Sequence, residues 1–85
     1  MEKARLKWAC KRGMLELDLI LMPYHDAIFE SASDDELNEF AYLLTQEDSY
    51  LYSWFMETGN PEEPRLNDMV RKILSFHSAK AKQSA

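Results

Sequence analysis

Apolar residues recur every three or four positions along most of the chain, the spacing of a helix that buries one face. The pattern predicts five such segments, whose apolar sets are Leu6, Ala9 and Cys10; Leu17, Ile20, Leu21 and Tyr24; Leu37, Phe40, Ala41 and Leu44; Leu51, Trp54 and Phe55; and Leu66, Met69, Val70, Ile73, Leu74 and His77. No alternating run is long enough for a strand. The sequence therefore predicts an all-α fold, a small five-helix bundle forming a single domain over residues 1–78. Residues 79–85 contain no large apolar residue, and we expect them to fray.

Boundary signals divide the first two helices. The first is predicted over residues 3–12, followed by Gly13 as a left-handed cap. The second begins at Met14, and Pro23 should end or kink it near Met22, because proline lacks the N–H that continues a helix.

Capping residues mark the third and fourth helices. Ser33 and Glu36 have the spacing of a capping box, in which each side chain accepts from an otherwise unpaired backbone N–H. Asp48 or Ser49 can cap the fourth helix, and Gly59 can close it.

Charge is distributed unevenly along the 85 residues. Residues 1–12 carry five basic residues and one acidic residue, residues 13–64 carry thirteen acidic residues and no basic one, and residues 65–85 again carry five and one, for a net charge of −5. An acidic middle disfavours general binding of nucleic acid, which requires a broad cationic surface. The layout fits a protein partner of mixed charge.

Candidates for catalysis are few. The histidines are His25 and His77, without a nucleophile motif beside either, and the single cysteine, Cys10, lies on an apolar face. We expect no metal site and no disulfide. With two glycines the chain has no phosphate-binding loop, so we expect no bound cofactor. Neither a secretory signal nor an apolar run long enough to span a bilayer is visible, so a cytoplasmic location without membrane insertion is expected.

One stripe of the first predicted helix has the composition of a protein interface. Arg5, Trp8 and Arg12 are spaced i, i+3, i+7, and both residue types are enriched at interface hot spots. Nucleic-acid binding and simple packing of arginine stems over Trp8 are the alternatives. The turn that follows, with Arg12, Gly13 and Glu16, also has the residue types that helix ends favour in any protein.

At this turn the chain resembles the succinate dehydrogenase flavinylation factors, the SdhE (YgfY) family of bacteria and its mitochondrial counterpart. Arg12, Gly13 and Glu16 match the family motif Arg-Gly-x-x-Glu. The similarity runs from about Ala4 to Ile73. Its supporting matches are Arg5, Trp8-Ala9-Cys10, Leu17-Asp18, Met22-Pro23, Ser33-Asp34-Asp35-Glu36, Phe40, Leu43-Leu44, Trp54, Met56, Gly59 and Met69-Val70.

The resemblance implies a monomeric, non-enzymatic assembly chaperone. Such a protein binds the flavoprotein subunit of succinate dehydrogenase, or of fumarate reductase, and promotes covalent attachment of FAD to that partner. By this resemblance the partner-binding residues are Arg12, Gly13 and Glu16, flanked by Arg5, Trp8, Met14 and Asp18. As surface contacts, Arg12 and Glu16 should tolerate truncation with little change in stability. An FAD carrier and a small helical DNA-binding protein are the alternative functions.

Overall fold

Five α-helices make up the fold in the computed structural model, which describes residues 3–84 and the side chains of residues 5–81. The helices are α1 (Lys3–Ala9), α2 (Leu15–Ile28), α3 (Asp34–Leu43), α4 (Asp48–Phe55) and α5 (Pro64–Ser84). No strand occurs within residues 3–84, which confirms the all-α prediction. None of these helices combines the length and the apolar character needed to cross a membrane.

The core forms where α5 packs against α2, α3 and α4, and where α2 also packs against α4. The predicted apolar faces supply it: Leu17, Phe40, Leu51 and Ile73 are each 0% exposed. Burying a side chain of this size contributes about 1.5–3 kcal/mol relative to leaving it in water. The edge of the Tyr24 ring packs against both Phe40 and Phe76, which joins α2 to α3 and α5.

The first helix ends three residues before the predicted position. After Ala9, the N–H groups of Cys10 and Lys11 bond to carbonyls only three residues back, at 3.2 and 3.0 Å, a tightening that ends the α-helical ladder. Gly13 has the predicted positive φ, 79°, but lies beyond the helix end as part of a separate turn. Arg12 therefore makes its contacts from a position outside the helix.

Pro23 does not end the second helix, which continues for five more residues to Ile28. Proline removes one ladder hydrogen bond, that from its own nitrogen to the Leu19 carbonyl. Burial of Tyr24 and His25, both 3% exposed, anchors the following turn against the core and offsets this loss.

The predicted caps are partly correct. Ser33 Oγ accepts from the Glu36 N–H at 3.2 Å, so the first half of the capping box is confirmed. The Glu36 carboxylate does not bond to the Ser33 backbone N–H. It accepts a hydrogen bond from the Ser33 hydroxyl at 3.4 Å and lies 3.8 Å from the Lys72 ammonium. The carboxylate therefore links α3 to α5.

The ends of α4 differ from prediction. Its N-cap is Glu47, which makes no side-chain cap, and the Asp48 carboxylate is bonded to Arg12 instead of capping the helix. At the other end the positive φ, 60°, belongs to Glu57 and not to Gly59. Gly59 has a different role, since a β-carbon there would lie 2.7 Å from Ser53 Oγ.

The last helix is longer than the predicted domain. It continues through Ser84, six residues past the expected boundary at residue 78. Alanine, lysine and glutamine are good helix formers, so the ladder can continue without tertiary contacts. Fraying of this segment in solution stays a prediction.

Candidate partner-binding site

Arg12 is the first residue of the predicted motif, and its side chain is directed into the protein. The side chain is 16% exposed. Its Nε donates to Asp48 Oδ1 at 2.7 Å, and Nη1 donates to the carbonyls of Ala9 at 3.1 Å and Leu44 at 2.7 Å. Nη2 donates to the carbonyl of Gln46 at 2.8 Å.

These bonds connect three helix ends. The Ala9 and Leu44 carbonyls lie where α1 and α3 terminate and where intrahelical partners are lacking, while Asp48 begins α4. A guanidinium can satisfy several carbonyls at once because its donors are fixed in one plane. We refer to Arg12 with these four partners as the Arg12 network.

The turn after Arg12 is held in a defined shape. The Arg12 N–H donates to Asp18 Oδ1 at 2.7 Å, so a carboxylate in the first turn of α2 fixes the preceding backbone. Gly13 has a positive φ, a backbone angle that residues with a β-carbon rarely adopt. The Met14 carbonyl accepts from Leu17 and Asp18, and its side chain packs partly against the core.

The side chains displayed around this turn are apolar and acidic. Trp8 is 73% exposed, Leu15 67% and Leu19 63%. Glu16 is also exposed in the first turn of α2. Leu15 and Leu19 are spaced i, i+4 and so share one helix face. Exposed apolar side chains of this size beside charged ones are typical of a protein-binding surface.

The predicted arginine–tryptophan stripe is therefore wrong in one respect. Arg5 and Trp8 are exposed on α1, but Arg12 lies past the helix end and is turned inward. The helical spacing used for the prediction does not extend that far. Gly13, Met14, Glu16 and Asp18 do lie together at the turn and the start of α2.

Leu15 and Leu19 were missed, although the sequence contained a signal for them. Both fall outside the Leu17, Ile20, Leu21 face, so a helix burying that face must expose them. For Asp48 the sequence predicts a helix cap and no other role. Its partner Arg12 is 36 residues away, and no local pattern indicates such a pair.

The residues considered for catalysis are packed inside. Cys10 is 0% exposed, its thiol donates to the Leu6 carbonyl at 3.3 Å, and burial raises the pKa of the thiol to about 12. His25 is 3% exposed, and its Nδ1 lies 3.1 Å from Asp26 Oδ1.

The remaining histidine, His77, is bonded to the backbone of another helix. His77 Nε2 lies 2.7 Å from the Ile20 carbonyl, and since a carbonyl only accepts, this nitrogen donates. This bond joins α5 to α2, as predicted for a packed histidine. Within the described residues, no group of three or more His, Cys, Asp or Glu side chains could hold a metal ion.

The structure is thus a small helical bundle that displays an ordered turn beside exposed apolar side chains. The sequence matches over residues 4–77 the family described as flavinator of succinate dehydrogenase. The chain belongs to this family.

Individual relatives agree with this assignment. The chain is 46% identical over 79 residues to the FAD assembly factor SdhE of Photobacterium profundum, covering 93% of this chain and 90% of the relative. It is 42% identical over 81 residues to the protein of that name from Vibrio cholerae, covering 95% and 94%. The solution structure of a UPF0350 protein, 42% identical, superposes with a TM-score of 0.73 over 94% of this chain and 85% of that one.

Proposed function

We propose that this chain is an assembly factor that binds the flavoprotein subunit of succinate dehydrogenase, and that of fumarate reductase, and promotes covalent attachment of FAD to it. In this proposal the partner carries out the chemistry of attachment, and this chain does not hold FAD. The chain acts as a monomer in the cytoplasm, which sedimentation of the purified chain and cell fractionation would check.

The observation that carries the proposal is the surface around the turn. Trp8 on α1 and Leu15 and Leu19 on α2 are each 63–73% exposed, and Glu16 is exposed in the first turn of α2. Aromatic anchors surrounded by polar groups supply most of the binding energy at protein interfaces.

The Arg12 network supports the proposal in a second way. It fixes the turn before any partner arrives, so less conformational entropy is lost on binding. In this interpretation Arg12 is a positioning residue for the interface, while Glu16 and Trp8 make the contacts. Asp18 acts similarly to Arg12 through its bond to the Arg12 N–H.

A binding protein of this kind accelerates a partner's own reaction by preferring one of its conformations. A ligand shifts an equilibrium only by its differential affinity for the two states. We therefore propose that the chain binds most tightly to the flavoprotein conformation in which the acceptor side chain and the flavin are aligned for bond formation.

The test mixes the purified chain with apo-flavoprotein and FAD and measures covalent flavin by in-gel fluorescence. Trp8→Ala should weaken binding by roughly 2 kcal/mol, about 30-fold, and lower the rate of flavin attachment. Glu16→Gln should weaken binding without changing the melting temperature. The matched control is Met56→Ala, which truncates an exposed apolar side chain at the C-cap of α4. Equal losses of binding in Met56→Ala and Trp8→Ala would show that this surface is not the binding site.

A second arm separates an assembly factor from an FAD carrier. Calorimetry of the chain with FAD alone should show no saturable binding, whereas apo-flavoprotein should bind one to one. Tight binding of free FAD would replace the proposal with the carrier function.

A further inference from the structure

A groove with a volume of about 720 Å³ lies between α4 and the start of α5, and the proposed function does not use it. Two side chains of α4, Tyr50 and Trp54, line it with rings that are nearly parallel, at 19°, and 5.9 Å apart. The Tyr50 side chain is 56% exposed. Pro64 and Leu66 add apolar surface from α5.

Carboxylates complete the groove. Glu62 and Glu63 line it from the loop before α5, and the lining residues include no lysine or arginine. The Tyr42 hydroxyl donates to Glu63 Oε2 at 2.7 Å, which orients that carboxylate. An aromatic face next to two carboxylates attracts a cation by both cation–π and ionic interactions.

The same chain already holds an arginine in this way. Arg65 Cζ lies 4.0 Å from the centroid of the Tyr42 ring, while its Nε donates to Glu39 Oε2 at 2.7 Å. An aromatic face and a carboxylate together therefore suffice to hold a guanidinium in this protein. Tyr50 and Trp54 with Glu62 and Glu63 repeat the combination on a surface large enough for more than one side chain.

We propose that this groove is a second docking site, which binds an arginine-containing, extended segment of a partner protein. Its guanidinium stacks on the Tyr50–Trp54 pair and bonds to Glu62 or Glu63, and the neighbouring residues of the segment cover Pro64 and Leu66. Arginine is preferred to lysine because a planar guanidinium can stack and bond to a carboxylate at the same time.

One residue, Gln46, belongs both to the groove and to the Arg12 network. The side chain of Gln46 lines the groove while its carbonyl accepts from Arg12 Nη2 at 2.8 Å. None of the residues predicted to bind the flavoprotein lines the groove. A segment bound here therefore leaves the surface of Trp8, Leu15 and Glu16 available, so the two sites can be tested separately.

The experiment uses the full chain carrying Trp8→Phe, so that Trp54 is the fluorescent tryptophan. The probes are three synthetic peptides with the same spacing, Gly-X-Gly-X-Gly with blocked ends, where X is arginine, lysine or citrulline. The arginine peptide should change Trp54 fluorescence and the backbone NMR signals of Tyr50 and Trp54 in a saturable way. The lysine peptide should bind about threefold more weakly, and neutral citrulline should not bind.

Two variants test the two parts of the groove. Glu62→Gln with Glu63→Gln keeps hydrogen-bond acceptors but removes both charges, and should raise the Kd of the arginine peptide about tenfold. Tyr50→Leu should reduce the preference for arginine over lysine. The matched control removes two exposed carboxylates elsewhere, Glu30→Gln with Glu57→Gln, and should change Kd less than about twofold.

Four results overturn the proposal. The first is an equal loss in the Glu30/Glu57 control, which would indicate general charge attraction. The second is binding of spermine as tight as that of the peptide, which would indicate a site for small polycations. The third is a concentration-dependent change of Trp54 without peptide, which would place a second copy of the chain in the groove. The fourth is the absence of any saturable change in fluorescence or NMR signals.

Discussion

The guanidinium Nε of Arg12 donates a 2.7 Å hydrogen bond to Oδ1 of Asp48, the first residue of α4. The two residues are 36 positions apart, so the bond connects the turn after α1 with the opposite half of the chain. Because the same guanidinium also bonds to the carbonyl of Leu44, Arg12 stabilises the α3–α4 connection as well. Arg12 thus supports the turn next to it from the inside.

Replacing Arg12 by alanine should destabilise the fold. The change removes four donated bonds and leaves the Asp48 carboxylate and the Leu44 carbonyl without their partner. Hydrogen bonds to charged groups contribute about 1.5–3 kcal/mol, and unpaired groups add a desolvation cost. Since Asp48 is 38% exposed and water can replace part of the loss, we expect about 2–3 kcal/mol. Urea unfolding should show this loss of free energy, and thermal unfolding should show a melting temperature roughly 10–20 °C lower.

Two further arginine variants serve as controls. Arg5→Ala removes an exposed arginine of α1 and should change stability by no more than about 0.5 kcal/mol. Arg12→Lys keeps the charge but loses the planar fork, and should lie between wild type and Arg12→Ala. If Arg12→Ala were as stable as Arg5→Ala, Arg12 would be a surface contact, as the family resemblance implies.

Gly13→Ala should destabilise through backbone strain alone. The φ of 79° is unfavourable for an L-residue, but no atom lies within 4 Å of an added β-carbon. We expect a loss of about 1 kcal/mol. D-alanine at this position, introduced by chemical synthesis, should restore the wild-type melting temperature because its preferred φ is positive. Equal losses for the two enantiomers would instead indicate a steric conflict.

Much of the fold could be predicted because it depends on local pattern. The spacing of Leu37, Phe40 and Leu44 defines a buried helix face wherever the partner helices lie, and all three are buried. Helix ends were less predictable. Pro23 alone favours a helix end, and it is tolerated because distant packing buries Tyr24.

In the candidate site, too, local features could be predicted and features that depend on distant residues could not. Gly13 and Glu16 could be placed at a turn and a helix start because these are local features. The inward direction of Arg12 depends on carbonyls from Leu44 and Gln46, more than 30 residues later, which periodicity does not reveal.

A double mutant should reveal the role of Gly59. Because an added β-carbon would lie 2.7 Å from Ser53 Oγ, Gly59→Ala forces that hydroxyl to rotate and lose its 3.1 Å contact with Thr58 Oγ1. We expect a cost of about 1 kcal/mol. In a Ser53→Ala background the conflict is absent, so the second change should cost much less. Additive losses in urea unfolding would mean that the two positions do not interact.

Stability at alkaline pH should depend on Cys10. Burial raises the pKa of its thiol from 9.0 to about 12, so between these values the unfolded chain releases a proton that the folded chain retains. The contribution is therefore fully present below pH 9 and is lost as the pH rises toward 12. Between pH 9 and 10.5 the free energy of unfolding should fall by about 1.5 kcal/mol more in wild type than in Cys10→Ala. The cavity left by the alanine shifts both measurements equally, and the tyrosines titrate in both proteins, so the difference in slope isolates the thiol. Parallel pH profiles would show that the thiol titrates alike in the folded and unfolded chains, contrary to its complete burial against the Leu6 carbonyl.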